Sequence, residues 1–111
     1  MKLQGQPFTN SPTCSGISFT TDAPLDMARI VITGRYPTEG WVRNRESHET
    51  VYVLAGEGEL LFEEGAQYSL KSGDVVHVPP ERWFRWSGDM TILMACSPVF
   101  KVSQYEKKED I

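Results

Sequence analysis

The sequence predicts an all-β chain, folded as an antiparallel sandwich or a small barrel. Three observations carry this. Apolar residues recur with a period close to two through the middle of the chain, as half-buried strands require. Turn residues interrupt that pattern every ~8–12 positions. No segment has the length and period of a helix; the nearest to one, residues 26–31, ends in β-branched Ile30 and Val31, which favour a strand.

The elements follow in order. Residues 4–24 are dense in Ser, Thr, Gly and Pro with isolated aromatics, Phe8 and Phe19. They read as most of an irregular N-terminal arm, residues 1–27, which wraps a partner or the domain's own surface. Residues 28–33 are the first strand, followed by a turn region, 34–40, that contains Pro37. Residues 50–55 are a β-rich strand punctuated by Gly56 and Gly58. Residues 59–63 and 66–70 flank Glu64-Gly65, a hairpin signal with glycine where a left-handed conformation fits. Ser72-Gly73-Asp74 turns the chain into strand 75–78, which Pro79-Pro80 ends because neither proline can donate to a ladder. Residues 82–86 and 91–96 complete the series. Residues 101–111, with Glu106-Lys107-Lys108-Glu109-Asp110, read as a solvated tail, leaving residues 28–100 as the folded domain.

Composition narrows the classes. The 111 residues, 40% hydrophobic and 23% charged, suit one soluble globular domain. Eleven Lys and Arg against fifteen Asp and Glu give a net charge of −4, and the arginines are scattered, which argues against a nucleic-acid partner. Residues 81–86 interleave two Arg with three aromatics, a pattern also used on single strands, but the acidic balance outweighs it. The apolar runs fall far short of the ~20 residues that cross a bilayer, so no membrane association is expected. The first residues lack the apolar core of a secretory signal, and the expected compartment is the cytoplasm. Cys14 and Cys96 are too few for a disulfide scaffold and read as free thiols, with Cys96 buried at the end of an apolar run.

Two segments carry a resemblance. Residues 49–60 hold a Glu followed by six residues and a Gly; residues 73–79 hold a Gly followed by five residues and a Pro. In this order and a hairpin apart, they resemble the two halves of the cupin motif, over residues 28–98. The resemblance implies a small single-domain cupin, an RmlC-like jelly-roll barrel or double-stranded β-helix. It also implies where metal ligands would stand. Metal-binding cupins carry H-x-H three or four residues before the Glu, and a further His five residues after the Pro. Those positions hold Val42 and Asn44, or Arg43 and Arg45, and then Phe84; only Glu49 matches.

A zinc or non-haem iron site normally needs at least three protein ligands, so no metal and no other cofactor is expected. His48 alternates away from Glu49 along one strand, and the facing of His77 is open. The alternative is a divalent-metal-dependent cupin enzyme, an isomerase or oxygenase, using Glu49, His77 and an unorthodox third ligand.

By parity Trp86 shares the interior with Phe84, while Trp83 and Arg85 face the other side. With the four-residue spacing of the first motif, Val42 and Asn44 share it with Glu49. The expected site is therefore aromatic-walled: Tyr36, Phe84 and Trp86 around the polar contacts Asn44, Glu49 and His77. Such a pocket suits a small organic ligand, sugar-like or ring-containing. Glu49 is the candidate catalytic residue, a general acid or base if unpaired, and a structural ion if Arg43 or Arg45 neutralises it. A second reading has Phe84 and Trp86 filling the barrel and leaving no cavity. Tyr36 and Trp41 flank the expected mouth, where ligand and dimer contacts are equally expected. Both faces of strand 50–54 are apolar, Val51 and Val53 on one, Tyr52 and Leu54 on the other, which predicts a homodimer covering the outer face.

Overall fold

A computed structural model describes residues 1–21 and 24–110; Asp22 and Ala23 of the expected arm and Ile111 of the expected tail lie outside the described residues. The strands are β1 (Gln6–Ser11), β2 (Cys14–Phe19), β3 (Asp26–Tyr36), β4 (Trp41–Asn44), β5 (His48–Phe62), β6 (Gln67–Lys71), β7 (Val75–Val78), β8 (Phe84–Ser97) and β9 (Tyr105–Lys108), with one 3-10 turn, Val102–Gln104, before the last. All pairings are antiparallel within one curled sheet. The axis of that sheet is β8, which lies between β3 and β5 over nearly its whole length. The all-β jelly roll is as the sequence predicts.

Two expected pairs of strands are each a single long one. Residues 50–55 and 59–62 belong to β5, and residues 82–86 and 91–96 fall largely within β8. Glycine bends these strands without ending them. Gly34, Gly88 and Gly58 pair in one row across β3, β8 and β5. A Cβ on Gly88, whose φ is +123°, would collide with the Gly58 backbone and the Glu57 carbonyl, so the row closes only with glycine. A bulge between Val53 and Ala55 then shifts the inward parity of β5, so that Val51 and Val53 before it and Leu60 and Phe62 after it all face the core. The hairpin at Glu64-Gly65 and the turn at Ser72-Gly73-Asp74 stand where expected, with Gly65 at φ +114° and Gly73 at φ +94°.

Both ends of the chain correct the sequence expectation. The N-terminal segment is a regular hairpin, not an irregular arm: β1 pairs with β2, and β2 pairs along its whole length with β3. Its small polar residues permit this, since at Gly16 any side chain would strike the Arg29 carbonyl of β3. The C-terminal segment is no solvated tail. Through β9 it pairs with β4, from Trp41 with Lys108 to Asn44 with Tyr105, and it buries Gln104. Hydrophobic burial and ladder pairing outweigh its high charge because alternate residues, Glu106 and Lys108, pair with Arg43 and Glu63 at the surface.

The core gathers the inward residues of β3, β5 and β8, among them Ile32, Val51, Val53, Leu60, Phe62 and Ile92, each no more than 1% exposed. Trp83 and Arg85 face the other way, as parity requires: Arg43 and Lys108 lie over the Trp83 ring, and Arg85 lies over Trp41. No helix among the described residues is long and apolar enough to cross a membrane.

Candidate functional site

The interior is not filled. β1, β2, β3, β5 and β8, together with the segment after β8, line a cavity of about 440 Å³ that opens to the surface, within the size range of small-molecule sites. Its lining is largely apolar, and Tyr36, Glu49, Phe84 and Trp86 all border it, as the sequence reading places them. Phe84 and Trp86 meet edge to face, with centroids 6.2 Å apart, and form a wall without occupying the space.

Asn44 stands behind Glu49. It is fully buried, and its Nδ2 donates to Glu49 Oε2 at 2.6 Å. Glu49 is only 3% exposed, and its other oxygen, Oε1, has no hydrogen-bond partner among the described residues. Burial pushes the Glu49 carboxyl up to about 7, while the Asn44 donor pulls in the opposite direction. The alternative of a structural ion pair is corrected by the positions of the arginines. Arg43 Nε donates to Glu106 Oε1 at 2.7 Å, and Arg45 is exposed; neither neutralises Glu49.

His77 does not join this site. On β7 it pairs with Thr50, while Val78 pairs with Glu49, so strand alternation turns His77 to the outer surface. There it stacks on His48, ring centroids 5.2 Å apart, with Nδ1 of His48 and Nε2 of His77 separated by 3.0 Å. The two histidines face each other across neighbouring strands, on the side of the sheet opposite Glu49.

Several residues of the site lie outside the sequence expectation. Phe8 and Cys14 enter from the N-terminal hairpin, and Phe100 and Tyr105 from the C-terminal segment. Tyr105 and Tyr36 share a hydrogen bond of 2.8 Å between their hydroxyls. Burial raises Tyr36 to about 12 and Tyr105 well above its ordinary value, and pushes the thiols of Cys14 and Cys96 up to about 11 and 12. All four stay neutral at physiological pH. Among these shifted groups, Glu49 is the one whose charge changes near neutrality. One signal in the sequence marks the C-terminal contribution: Phe100, Val102 and Tyr105 are too apolar for a solvated tail.

The metal of the fold's metal-binding members does not fit these residues. Beside Glu49 stand the Asn44 amide and, across the strand pair, the Cys96 thiol, which burial holds protonated, while the cavity's second carboxylate, Asp26, accepts the backbone N–H groups of Thr21 and Phe100; three strong donors are not gathered round one point. Among the described residues, no group of three or more His, Cys, Asp or Glu is placed to hold an ion.

Comparison with known proteins agrees with the architecture. The Cupin domain family matches residues 30–96. No curated protein matches by sequence. Among solved structures, Streptomyces Pac13, a nucleoside dehydratase, superposes with a TM-score of 0.86 at 18% identity, covering 98% of this chain and 91% of its own. A Pac13 variant with uridine superposes equally well. Ectoine synthase from P. lautus gives 0.74 at 15% identity, covering 93% and 82%, and KdgF from Halomonas sp. gives 0.66 at 17%, covering 84% and 87%. At such identities the likeness establishes a shared fold, and the chemistry has to come from this chain's own residues.

Proposed function

Because the chain belongs to the cupin family, we propose that its barrel binds a small, uncharged, ring-containing molecule without a metal ion, and that Glu49 transfers protons to and from it. The observation that carries this reading is Glu49 Oε1, a buried carboxyl oxygen with no partner among the described residues, on a side chain that borders the cavity. A buried polar atom left unsatisfied costs stability, and a ligand hydroxyl or amide that bonds it removes that cost. Aromatic walls favour a flat ring or the apolar face of a sugar. Glu49 and Asp26 both border the cavity, with Lys107 as the cation among the lining residues, so a phosphorylated or carboxylated ligand meets like charge there. A carboxyl that titrates near 7 is present in both forms at neutral pH and serves as acid or base, as an elimination of water or an isomerisation requires. The fold shared with Pac13, which is seen with uridine, makes nucleosides the first class to try.

The test is a ligand screen by thermal shift and ligand-observed NMR. It compares uncharged nucleosides, monosaccharides and aromatic amides with their phosphorylated counterparts. Uncharged rings should bind and phosphorylated ones should not. Met94→Trp, which fills space at the cavity wall, should abolish binding. Binding that survives in Met94→Trp, or a stoichiometric transition metal in protein purified without chelator, defeats the reading; the expected metal content is below about a tenth of an equivalent.

A further inference from the structure

The buried amides behind Glu49 form a hydrogen-bond chain whose direction is set at its far end. The backbone N–H groups of Glu46 and Ser47 can only donate, and both reach Gln104 Oε1, at 3.0 and 3.1 Å. That commits the oxygen end of the Gln104 amide. Its nitrogen end, Nε2, therefore turns to Asn44 and donates to Oδ1 at 2.9 Å. Asn44 then has only its NH₂ group left for Glu49, and Nδ2 donates to Oε2.

Nothing in this chain can turn round cheaply. Gln104 is 5% exposed and Asn44 fully buried, and the main chain of Gln104 is pinned by the Arg45 N–H on its carbonyl at 2.8 Å. Reversing either amide sets donor against donor or acceptor against acceptor where water does not reach.

We propose that Gln104 is a positioning residue for Glu49: through Asn44 it commits Oε2 to accepting, and so holds the exchangeable proton on Oε1, the oxygen left for a ligand. When Glu49 takes a proton it takes it on Oε1, and when it gives one it gives it from Oε1. The carboxyl never has to rotate between the two acts. The assignment of catalytic meaning rests on the function proposed above, but the polarity of the chain is testable with no ligand present.

The experiment follows the Glu49 carboxyl by NMR in the full chain carrying ¹³C-labelled glutamate. Asn44→Leu removes the donor to Oε2 and should raise the Glu49 midpoint by about one pH unit. Gln104→Met frees the Asn44 amide and should raise it by about half a unit or more. The same substitution on top of Asn44→Leu should add less than about 0.2 units, because Gln104 acts through Asn44. No shift from Gln104→Met, or an equal shift in both backgrounds, overturns the proposal. If Gln104→Met does not fold, the unaltered ¹⁵N-labelled protein decides. The Asn44 side-chain NH₂ resonances should move with the Glu49 titration, and an unmoved pair means that Asn44 presents its oxygen instead. A failed ligand screen with this cycle intact removes the proposed function and leaves the positioning chain standing.

Discussion

The hydroxyls of Tyr36 and Tyr105, sixty-nine positions apart in sequence, are 2.8 Å apart at the wall of the cavity. One residue ends β3 and the other begins β9, so this hydrogen bond ties the C-terminal segment to β3, beside the ladder that β9 makes with β4. Removing one hydroxyl leaves the other without that partner, which generally costs more than removing both. Tyr105→Phe and Tyr36→Phe should each lower stability by about 1–2 kcal/mol, and the double variant by less than their sum. Urea denaturation of the four proteins checks this, and strictly additive losses would contradict the coupling.

Glu49 makes stability depend on pH in a stated direction. In the folded chain its carboxyl titrates near 7, against an ordinary value of 4.5. Between those values the folded state keeps a proton that the unfolded state has lost, so stability falls as pH rises through the window and levels off above it. The span corresponds to roughly 3 kcal/mol at most. Glu49→Gln keeps an oxygen for Asn44 and a donor for the cavity, and should flatten this slope and stabilise the protein at pH 8. Thermal denaturation from pH 4.5 to 8 is the measurement; a variant with an unchanged slope contradicts the assignment.

Cys14 and Cys96 should be inert in the native protein. Burial holds both thiols protonated at pH 8, and the thiolate is the reactive form. Reaction with a disulfide reagent should be at least about a hundredfold slower than for the unfolded chain, and a ligand that occupies the cavity should slow it further. Fast labelling of either thiol in the folded protein would contradict the burial of these two side chains.

A second copy is proposed to cover the outer face of the sheet. Tyr52 is 45% exposed, Leu54 37% and Val75 62%, and Tyr52 pairs with Val75 on one side and with Leu93 on the other, so the apolar surface is continuous across three strands. Light scattering at micromolar concentration should give twice the 12.5 kDa of one chain. Tyr52→Glu should halve that mass while leaving the monomer folded. A monomeric mass for the unaltered protein rules the dimer out.

The motif order from Glu49 to Pro79 made the jelly roll legible, and strand parity was enough to place Phe84, Trp86, Asn44 and Glu49 inside. The same parity, had the register of β7 against β5 been known, would have sent His77 outward. Register is a tertiary property, however, and four residues between two turns do not fix it. The termini were illegible for a different reason. Pro, Asn, Ser and Gly in β1 and β2 are poor strand formers alone, and they pair because β3 offers an edge. Residues 101–111 look solvated because their charges dominate a local reading, whereas Gln104 is buried by contacts with residues some sixty positions earlier.

The cavity owes two of its walls to segments outside residues 30–96, the stretch matched by the family. A chain excised at those limits would retain the long central strands but present an open trough, with Asn44 released from Gln104 and the Glu49 carboxyl wetted. Fusion partners, tags or clipping at either extremity would therefore act directly on whatever this protein holds, and what look like dispensable ends in a sequence diagram are its lid and its floor.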